Sequence, residues 1–327
     1  MADQRNQVNI PANLVPKVWA KKVWHEGVKD SYFDKFTVMD GSNVVHQNKD
    51  LTNVKGDSVV FGLMMNLTGS GVEGNRQKLS GSEDTLNIYD FTVQTQLVRN
   101  AVSRFEADDQ KSQYDMLKEI KVVLKQWLSD WLDDKLISKL SSNPLSTETV
   151  FAGAATTQSS LTANDKLTTT LISRAKRKAM MHAPKVQPIK VDGMDKYIML
   201  VSPWAARDLK DDPKWLAAQQ NANVRGSKNP IFTGALGEYD GVILYEYERV
   251  LSDNTGASSA NVCHNLLLGK QAACFAVARP AKHIEQTDDY GNIAGNGIAF
   301  YGAVEKTKFN NKDYGSIQVL TGGAVER

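Results

Sequence analysis

The sequence contains one glycine pattern that could bind the phosphates of a dinucleotide. Gly69, Gly71 and Gly74 form a G-x-G-x-x-G pattern after an apolar run, and Asp90 follows at a distance suited to a ribose contact. Such a loop works only if its last glycine opens a helix, whose N-terminus holds the pyrophosphate. Here polar residues follow Gly74, and the next predicted element is a strand. A dinucleotide-dependent enzyme is therefore a weak alternative, and no cofactor is predicted.

The other reactive side chains lack the spacing of a catalytic or metal site. The five histidines, at positions 25, 46, 182, 264 and 283, have no partner at metal-ligand spacing. Cys263 and His264 are adjacent, so on a strand they point to opposite faces and form no dyad. Cys263 and Cys274 lie in apolar runs, which predicts buried free thiols in a protein folded in a reducing cytoplasm. The sequence thus predicts no catalytic residue and no metal site.

The overall charge limits which partners the chain can bind. A net charge of +2 over 327 residues argues against a dedicated nucleic-acid binder, although a surface that merely tolerates packed nucleic acid remains compatible. No stretch approaches the ~18 consecutive apolar residues of a membrane span, so no membrane partner is predicted.

One basic cluster stands out near the end of a helix predicted over Asp165–Met181, and it comprises Arg174, Lys176, Arg177, Lys178 and Lys185. Cations near a helix C-terminus complement the helix dipole, and this is the main explanation for the cluster. Contact with nucleic acid or with an acidic partner is the alternative.

The elements around the glycine pattern predict a long projecting arm. Strand-like runs at Ser58–Leu67 and Leu86–Val98 are rich in β-branched and aromatic residues. The segment between them is too long and polar for a tight turn, and too poor in apolar groups to pack on its own domain. Contacts outside the subunit are therefore expected to order its tip, and the candidate intersubunit residues are Gly69, Gly71, Gly74, Arg76, Lys78 and Glu83.

A long amphipathic helix follows the predicted arm. Apolar residues recur every three or four positions over Gln113–Leu140, which predicts a rod of roughly 40 Å capped by Asp109 or Ser112. The residues expected to anchor this spine helix to a sheet are Leu124, Trp127, Leu128 and Trp131. An ordinary core helix of an α+β domain would show a similar pattern. Near the C-terminus, three closing strands are predicted, at Tyr290–Phe300, Gly302–Phe309 and Ser316–Leu320.

Several segments, in order along the chain, resemble the major capsid proteins of a branch of tailed bacteriophages. They are Leu79–Tyr89, Val93–Val102, Trp127–Leu132, Lys228–Val242, Leu266–Ala273 and Lys306–Gly315. The resemblance implies an α+β chain with the Hong Kong 97-type capsid fold. Its parts would be an N-terminal arm at 1–56, an extended hairpin loop at 57–100, a spine helix and peripheral domain at 101–164, an axial domain at 165–281, and return strands of the peripheral domain at 282–327.

The same resemblance implies a function and partners. The chain would form pentamers and hexamers of itself in an icosahedral shell around double-stranded phage DNA, assembled in the host cytoplasm. Scaffolding and portal proteins are implied partners, scaffolding being supplied by a separate protein, and a decoration protein is a further candidate. The fold also suggests which cations face the DNA inside: Lys118, Lys121 and Lys125 on the spine, with Lys17, Lys21 and Lys22 on the arm. A cellular nanocompartment shell of the same fold is the alternative.

Overall fold

A computed structural model of the chain describes residues 31–39, 41–49, 56–65, 83–112, 115–191, 193–221 and 236–323, with positions 67, 69, 71–74 and 80 of the hairpin tip. The predicted arm residues Lys17, Lys21 and Lys22, and the tip residues Arg76 and Lys78, lie outside the described residues.

The described part mixes helices and strands. Its α-helices are α1 (Glu106–Lys111), α2 (Met116–Ser141), α3 (Thr169–Met181), α4 (Pro203–Lys210) and α5 (Pro213–Asn221). Its strands up to position 246 are β1 (Thr37–Val38), β2 (Val45–Asn48), β3 (Ser58–Met64), β4 (Ile88–Gln94), β5 (Gln96–Phe105), β6 (Thr149–Phe151), β7 (Ile189–Val191), β8 (Met194–Val201), β9 (Gly237–Tyr239) and β10 (Val242–Glu246). The later strands are β11 (Ser252–Asp253), β12 (Asn261–Leu268), β13 (Ala273–Asp288), β14 (Ile293–Lys306), β15 (Lys308–Phe309), β16 (Lys312–Asp313) and β17 (Ser316–Gly323).

The first sheet is built on long antiparallel strands in the order β1-β2-β13-β14-β5. The predicted break between Tyr290–Phe300 and Gly302–Phe309 is wrong, because β14 runs unbroken from Ile293 to Lys306. Gly302 is a site of close approach rather than a turn: a Cβ there would lie 2.6 Å from the carbonyl oxygen of Ala276. The glycine therefore lets β14 pack tightly against β13.

The hairpin separates from this sheet at Thr95. The predicted single strand Leu86–Val98 is wrong, because it is divided into β4, which pairs with β3, and β5, which pairs with β14. Thr95 is buried, and both its backbone N–H and its hydroxyl donate to the carbonyl oxygen of Asp57 at 2.8 Å. These two bonds tie the ends of the hairpin together where the chain passes from one sheet to the other. The other predicted strand, Ser58–Leu67, ends earlier, at Met64.

The second sheet has eight strands, and its main order is β6-β17-β12-β8-β10-β9. Successive residues of β8 alternate between two cores: Tyr197, Met199 and Val201 face α3 and α4, whereas Ile198 and Leu200 face the last turns of α2. Residues 282–327 were predicted to return to the peripheral domain, but the last strand of this segment, β17, does not join the five-stranded sheet. β17 pairs with β6 and β12 inside the eight-stranded sheet and is buried along its length.

The spine helix α2 spans 26 residues, roughly 39 Å at 1.5 Å per residue. The predicted start and cap are wrong. Asp115 is the N-cap, and its side chain accepts from the backbone N–H of Lys118, whereas Asp109 lies in the separate short helix α1.

No helix of the described part combines the length and the hydrophobicity that a bilayer span requires.

Local signals elsewhere agree with the structure. Ser202 caps α4 by accepting from the N–H of Ala205, and Pro203 occupies the first turn. Cys263 and Cys274 are both buried free thiols.

Candidate functional site

The base of the β3–β4 hairpin docks on the five-stranded sheet. Val59 and Phe61 of β3 and Val93 of β4 point to one face, where they pack with Cys274 and Ala276 of β13. Val93 is completely buried there. Burial of these side chains holds the base of the hairpin to the subunit, so only the part beyond it projects.

The opposite face of the hairpin is exposed and presents apolar side chains beside Asp90 and Thr92. Val60, Met64 and Ile88 point away from the sheet and are 61%, 64% and 64% exposed. Met64 and Ile88 are cross-strand partners, so their side chains form one continuous apolar surface. This surface was not predicted from the sequence. Its signal was the run Val59-Val60-Phe61, in which successive apolar residues must point to both faces of the strand.

The described residues of the tip make few contacts with the rest of the chain. The backbone N–H of Gly69 donates to Asp84 Oδ2 at 2.6 Å. Gly71 and Gly74 have φ of +71° and +85°, and a Cβ at either would meet no atom within 4 Å. After Gly74, the next regular element in the described part of the chain is β4, a strand. Among the described residues, no helix therefore follows Gly74 before β4, whereas a dinucleotide site requires one.

The spine helix packs on the other face of the five-stranded sheet. Leu124 and Leu128 are buried, and Leu128 contacts Val277 of β13 and Phe300 of β14. Trp127 and Trp131, the other two predicted anchors, are partly buried and pack against the margin of this cluster. The aliphatic side chains, rather than the indoles, fill the space between helix and sheet.

The three predicted DNA-facing lysines of the spine lie on one exposed side of α2. Lys118 lies at the first turn, and Lys121 pairs with Glu285 of β13 at 3.0 Å. The hydrogen bond and charge of Lys121 lower the pKa of the Glu285 carboxyl. Lys125 follows one turn after Lys121 and is also exposed. The structure thus places the three cations together but does not assign them a ligand.

A short clasp at residues 31–38 fastens the chain between the spine and the eight-stranded sheet. The Ser31 hydroxyl donates to Asp133 of α2 at 2.6 Å, and the Tyr32 ring stacks on Tyr247 at 4.0 Å. Phe33 and Phe36 are buried beside them. Burial, which is the main cause, and the nearby Asp133 carboxylate raise the pKa values of both tyrosines. The clasp therefore fixes residues 31–38 against the spine helix and Tyr247.

Charged side chains are buried where the two sheets meet. The Lys306 ammonium pairs with Asp313, and both side chains are almost fully buried. Glu148 accepts from the backbone N–H of Asp313 at 2.9 Å. Burial, followed by the neighbouring Asp313, raises the pKa of Glu148 to about 7. Sequence reasoning missed this cluster, since its members are distant in the chain and follow no local pattern.

Among the histidines that the structure describes, His264 has the most polar contacts. Its Nε2 lies 3.0 Å from Asp253 Oδ2, and its Nδ1 lies 2.7 Å from the Gln318 amide nitrogen. Burial lowers its pKa, although Asp253 acts in the opposite direction. Both ring nitrogens have partners, so this histidine links β11, β12 and β17. Within the described ranges, no group of three His, Cys, Asp or Glu side chains is arranged to hold a metal ion.

A projecting hairpin, a spine helix and two sheets are the parts expected of a capsid subunit, and comparison with known proteins identifies the family. A family model described as phage capsid protein matches residues 13–155 and 144–325. The chain belongs to this phage capsid protein family. It is 26% identical over 356 residues to the major capsid protein of Pseudomonas phage KPP25, covering 92% of this chain and 93% of that one.

Solved capsid structures share the fold of this capsid protein. The capsid of Ralstonia phage GP4 is 26% identical, covers 96% of both chains and superposes with a TM-score of 0.84. The Cyanophage Pam1 capsid asymmetric unit is 23% identical, covers 100% of both chains and also has a TM-score of 0.84. The Hong Kong 97-type capsid fold predicted from the sequence is therefore confirmed.

The function of this capsid protein is structural. It is a major capsid protein of a phage, a component of the virion, and it associates with copies of itself in a shell. The comparisons favour this function over the nanocompartment and the dinucleotide-dependent enzyme, since the matched proteins are phage capsid proteins.

Proposed function

We propose that this capsid protein assembles through pentamers and hexamers into an icosahedral head shell around double-stranded phage DNA, inside the host bacterial cytoplasm. A separate scaffolding protein and a portal protein are its proposed partners, and a decoration protein is a further candidate. The DNA contacts are proposed to be non-specific. A net charge of +2 leaves little surplus per subunit for neutralising phosphates.

The observation that carries the proposal is the two-faced hairpin. Its inner face is buried on β13, whereas its outer face presents Val60, Met64 and Ile88 to solvent. A soluble monomer gains nothing from an exposed apolar surface on a projecting arm, and such surfaces mark interaction sites. In a shell, a neighbouring copy covers this face. Such a contact joins two different surfaces, and contacts of this kind close into rings.

The parts of the subunit have proposed roles in that assembly. Residues 1–56 form the N-terminal arm, 57–100 the hairpin loop, and 101–164 the spine and peripheral domain. Residues 165–281 form the axial domain. Residues 282–327 are proposed to supply the return strands of the peripheral domain, among them β14, whereas β17 pairs within the eight-stranded sheet. The tip residues Gly69, Gly71, Gly74, Arg76, Lys78 and Glu83 contact the neighbouring subunit, and Lys118, Lys121 and Lys125 face the DNA.

Introducing charge on the outer hairpin face tests the proposal. The double variant Met64→Lys/Ile88→Lys places two cations on a surface that a neighbour must cover. We expect it to fold with an unchanged melting temperature and to sediment as subunits or small oligomers, because burying unpaired charges opposes association. The matched control, Met64→Leu/Ile88→Val, keeps the surface apolar and should assemble. Shells formed by the lysine variant at the wild-type yield would contradict the proposal.

A further inference from the structure

The basic cluster around α3 is a pocket in the structure rather than a simple helix end. Its walls come from three separate segments of the chain: the second half of α3, the turn before β6, and β16. The lining residues are Thr147, Arg174, Arg177, Lys178, Met181, His182, Ala183 and Lys312, and the pocket is open to solvent with a volume of about 440 Å³. That volume is within the range of ligand-binding pockets.

The charged side chains that line this pocket are all positive. Four of its lining residues are Lys or Arg, and none of the described lining residues is Asp or Glu. Arg174 and Arg177 are exposed, and neither has an ion-pair partner among the residues that the structure describes. A concave surface lined by cations attracts anions more strongly than the same cations spread over a flat face.

The two lysines are held in place by backbone carbonyls, which do not neutralise them. Lys178 Nζ donates to the carbonyl oxygen of Thr149 at 2.7 Å, and Lys312 Nζ donates to that of Ala183 at 3.3 Å. The pKa of Lys178 is lowered mainly by burial and also by the charge of Arg174. The charge of Glu148 acts in the opposite direction, so this carboxyl partly balances Lys178, although the described pocket lining itself contains no Asp or Glu.

The Glu148 carboxyl is buried beside the pocket and does not line it. Glu148 is 1% exposed and bonds the backbone N–H of Asp313. Its Oε1 lies 3.7 Å from Nε2 of His182, on the far side of that ring from Nδ1. Nδ1 donates to the Pro184 carbonyl oxygen at 2.9 Å. The carboxyl therefore supports the wall of the pocket and leaves its opening positive.

We propose that this pocket is a binding site for a phosphate-type oxyanion. Arg174 and Arg177 lie three residues apart on the same side of α3, so two guanidinium groups can reach one ligand. Guanidinium groups bind phosphate oxygens in pairs, and the lysines add point charges. A phosphate balances four cations better than a single carboxylate does. Free phosphate and the nucleic-acid backbone share this chemistry, and the experiment separates them. The proposal goes beyond shell formation and does not depend on it.

Calorimetric titration of the full-length soluble protein with inorganic phosphate tests the site, with ionic strength held constant by chloride. We expect saturable binding that weakens about tenfold or more in Arg174→Ala/Arg177→Ala, because two charge-assisted contacts are lost. Arg174→Lys/Arg177→Lys should bind with intermediate affinity. The control Lys190→Ala removes an exposed cation outside the pocket and should bind like the wild type. Absence of saturable binding, or equal binding by the alanine variant, would overturn the proposal.

Two further measurements are needed. One distinguishes free phosphate from the nucleic-acid backbone as the ligand, and the other distinguishes failure of the phosphate-site proposal from failure of the shell proposal. A short DNA duplex that displaces phosphate, and does so less well from the alanine variant, would support the site and identify the nucleic-acid backbone as its source. A duplex without effect would support a site for free phosphate. Acetate binding as tightly as phosphate would overturn the phosphate assignment. Electron microscopy of the same alanine variant should still show shells, and failure of the wild type to form shells would overturn the shell proposal alone.

Discussion

Cys274 and Phe275 are neighbours on β13, and they point to opposite faces of the five-stranded sheet. Cys274 packs with Val59, Phe61 and Val93 at the base of the hairpin. Phe275 lies 5.9 Å, between ring centroids, from Phe300 beneath the spine helix. A single layer of backbone therefore separates the hairpin from the spine, and the direction in which the hairpin projects is set by the sheet that the spine supports.

Shortening the hairpin tip should block assembly without unfolding the subunit. Replacing Gly69–Ser80 with a short Gly/Ser turn removes no residue from the cluster at the hairpin base. We expect a soluble protein with the wild-type melting transition that forms no shells in sedimentation. A matched control would replace the same residues with a Gly/Ser linker of equal length. Shells of normal size from the shortened variant would show that the tip is not an assembly contact.

Local patterns in the sequence located the main elements but not all of their ends. The hairpin strand starts at Ser58, as predicted, because the preference of β-branched and aromatic residues for strands is a local property of the chain. The division at Thr95 depends on bonds to Asp57, which is 38 residues away. The start of the spine was placed wrongly because several Asp and Ser residues compete as caps, and only one of them, Asp115, is used.

The candidate surfaces were less predictable than the fold. Sequence reasoning named the hairpin tip but missed the apolar face of Val60, Met64 and Ile88, since a strand pattern does not show which face the core covers. The basic cluster was visible around Arg174, whereas Lys312 joins it only through the fold, from more than a hundred residues away. Side chains brought together by tertiary structure leave no pattern in a single sequence.

When spine residues are truncated to alanine, the loss in free energy of unfolding should follow how deeply each side chain is buried and not how large it is. Leu128→Ala should lower the free energy of unfolding by about 2–5 kcal/mol, since it leaves a cavity against Val277 and Phe300. Trp127→Ala removes a larger side chain, but part of its ring is already in solvent, so a smaller loss is expected. Urea denaturation of the two variants measures the difference. A larger loss in Trp127→Ala would show that the indole is the main anchor.

Glu148 should make the free energy of unfolding fall as the pH rises, the opposite of the usual behaviour of a carboxyl group. Its pKa is 4.5 ordinarily and about 7 in the folded protein. Between these values the unfolded chain has lost the proton while the folded chain keeps it. The contribution of Glu148 to stability is therefore greatest below pH 4.5, falls as pH rises to about 7, and is then constant.

The variant Glu148→Gln should remove this dependence. Glutamine stays uncharged and keeps an oxygen to accept from the N–H of Asp313. We expect its free energy of unfolding to fall less than that of the wild type between pH 4.5 and 7, measured by urea denaturation. Glu246→Gln, at an exposed carboxylate, is the control and should follow the wild type. An unchanged slope in Glu148→Gln would contradict the assignment.

Neutralising Lys118, Lys121 and Lys125 to Gln should weaken DNA retention and leave shell assembly intact. The variant removes the exposed ion pair between Lys121 and Glu285, and exposed ion pairs contribute little to stability. Filled shells of the triple variant should release DNA at lower salt than the wild type, because fewer phosphates are neutralised. Nuclease protection across a salt series measures this. Identical salt profiles would place the three lysines away from the DNA.

The measurement that tests the central claim most directly is negative-stain electron microscopy of the purified, full-length protein, expressed with its scaffolding partner where assembly requires one. We predict closed shells of uniform size built from pentamers and hexamers. A homogeneous population of monomers that never assembles, under conditions where the subunit is folded and the scaffold is present, would contradict the account.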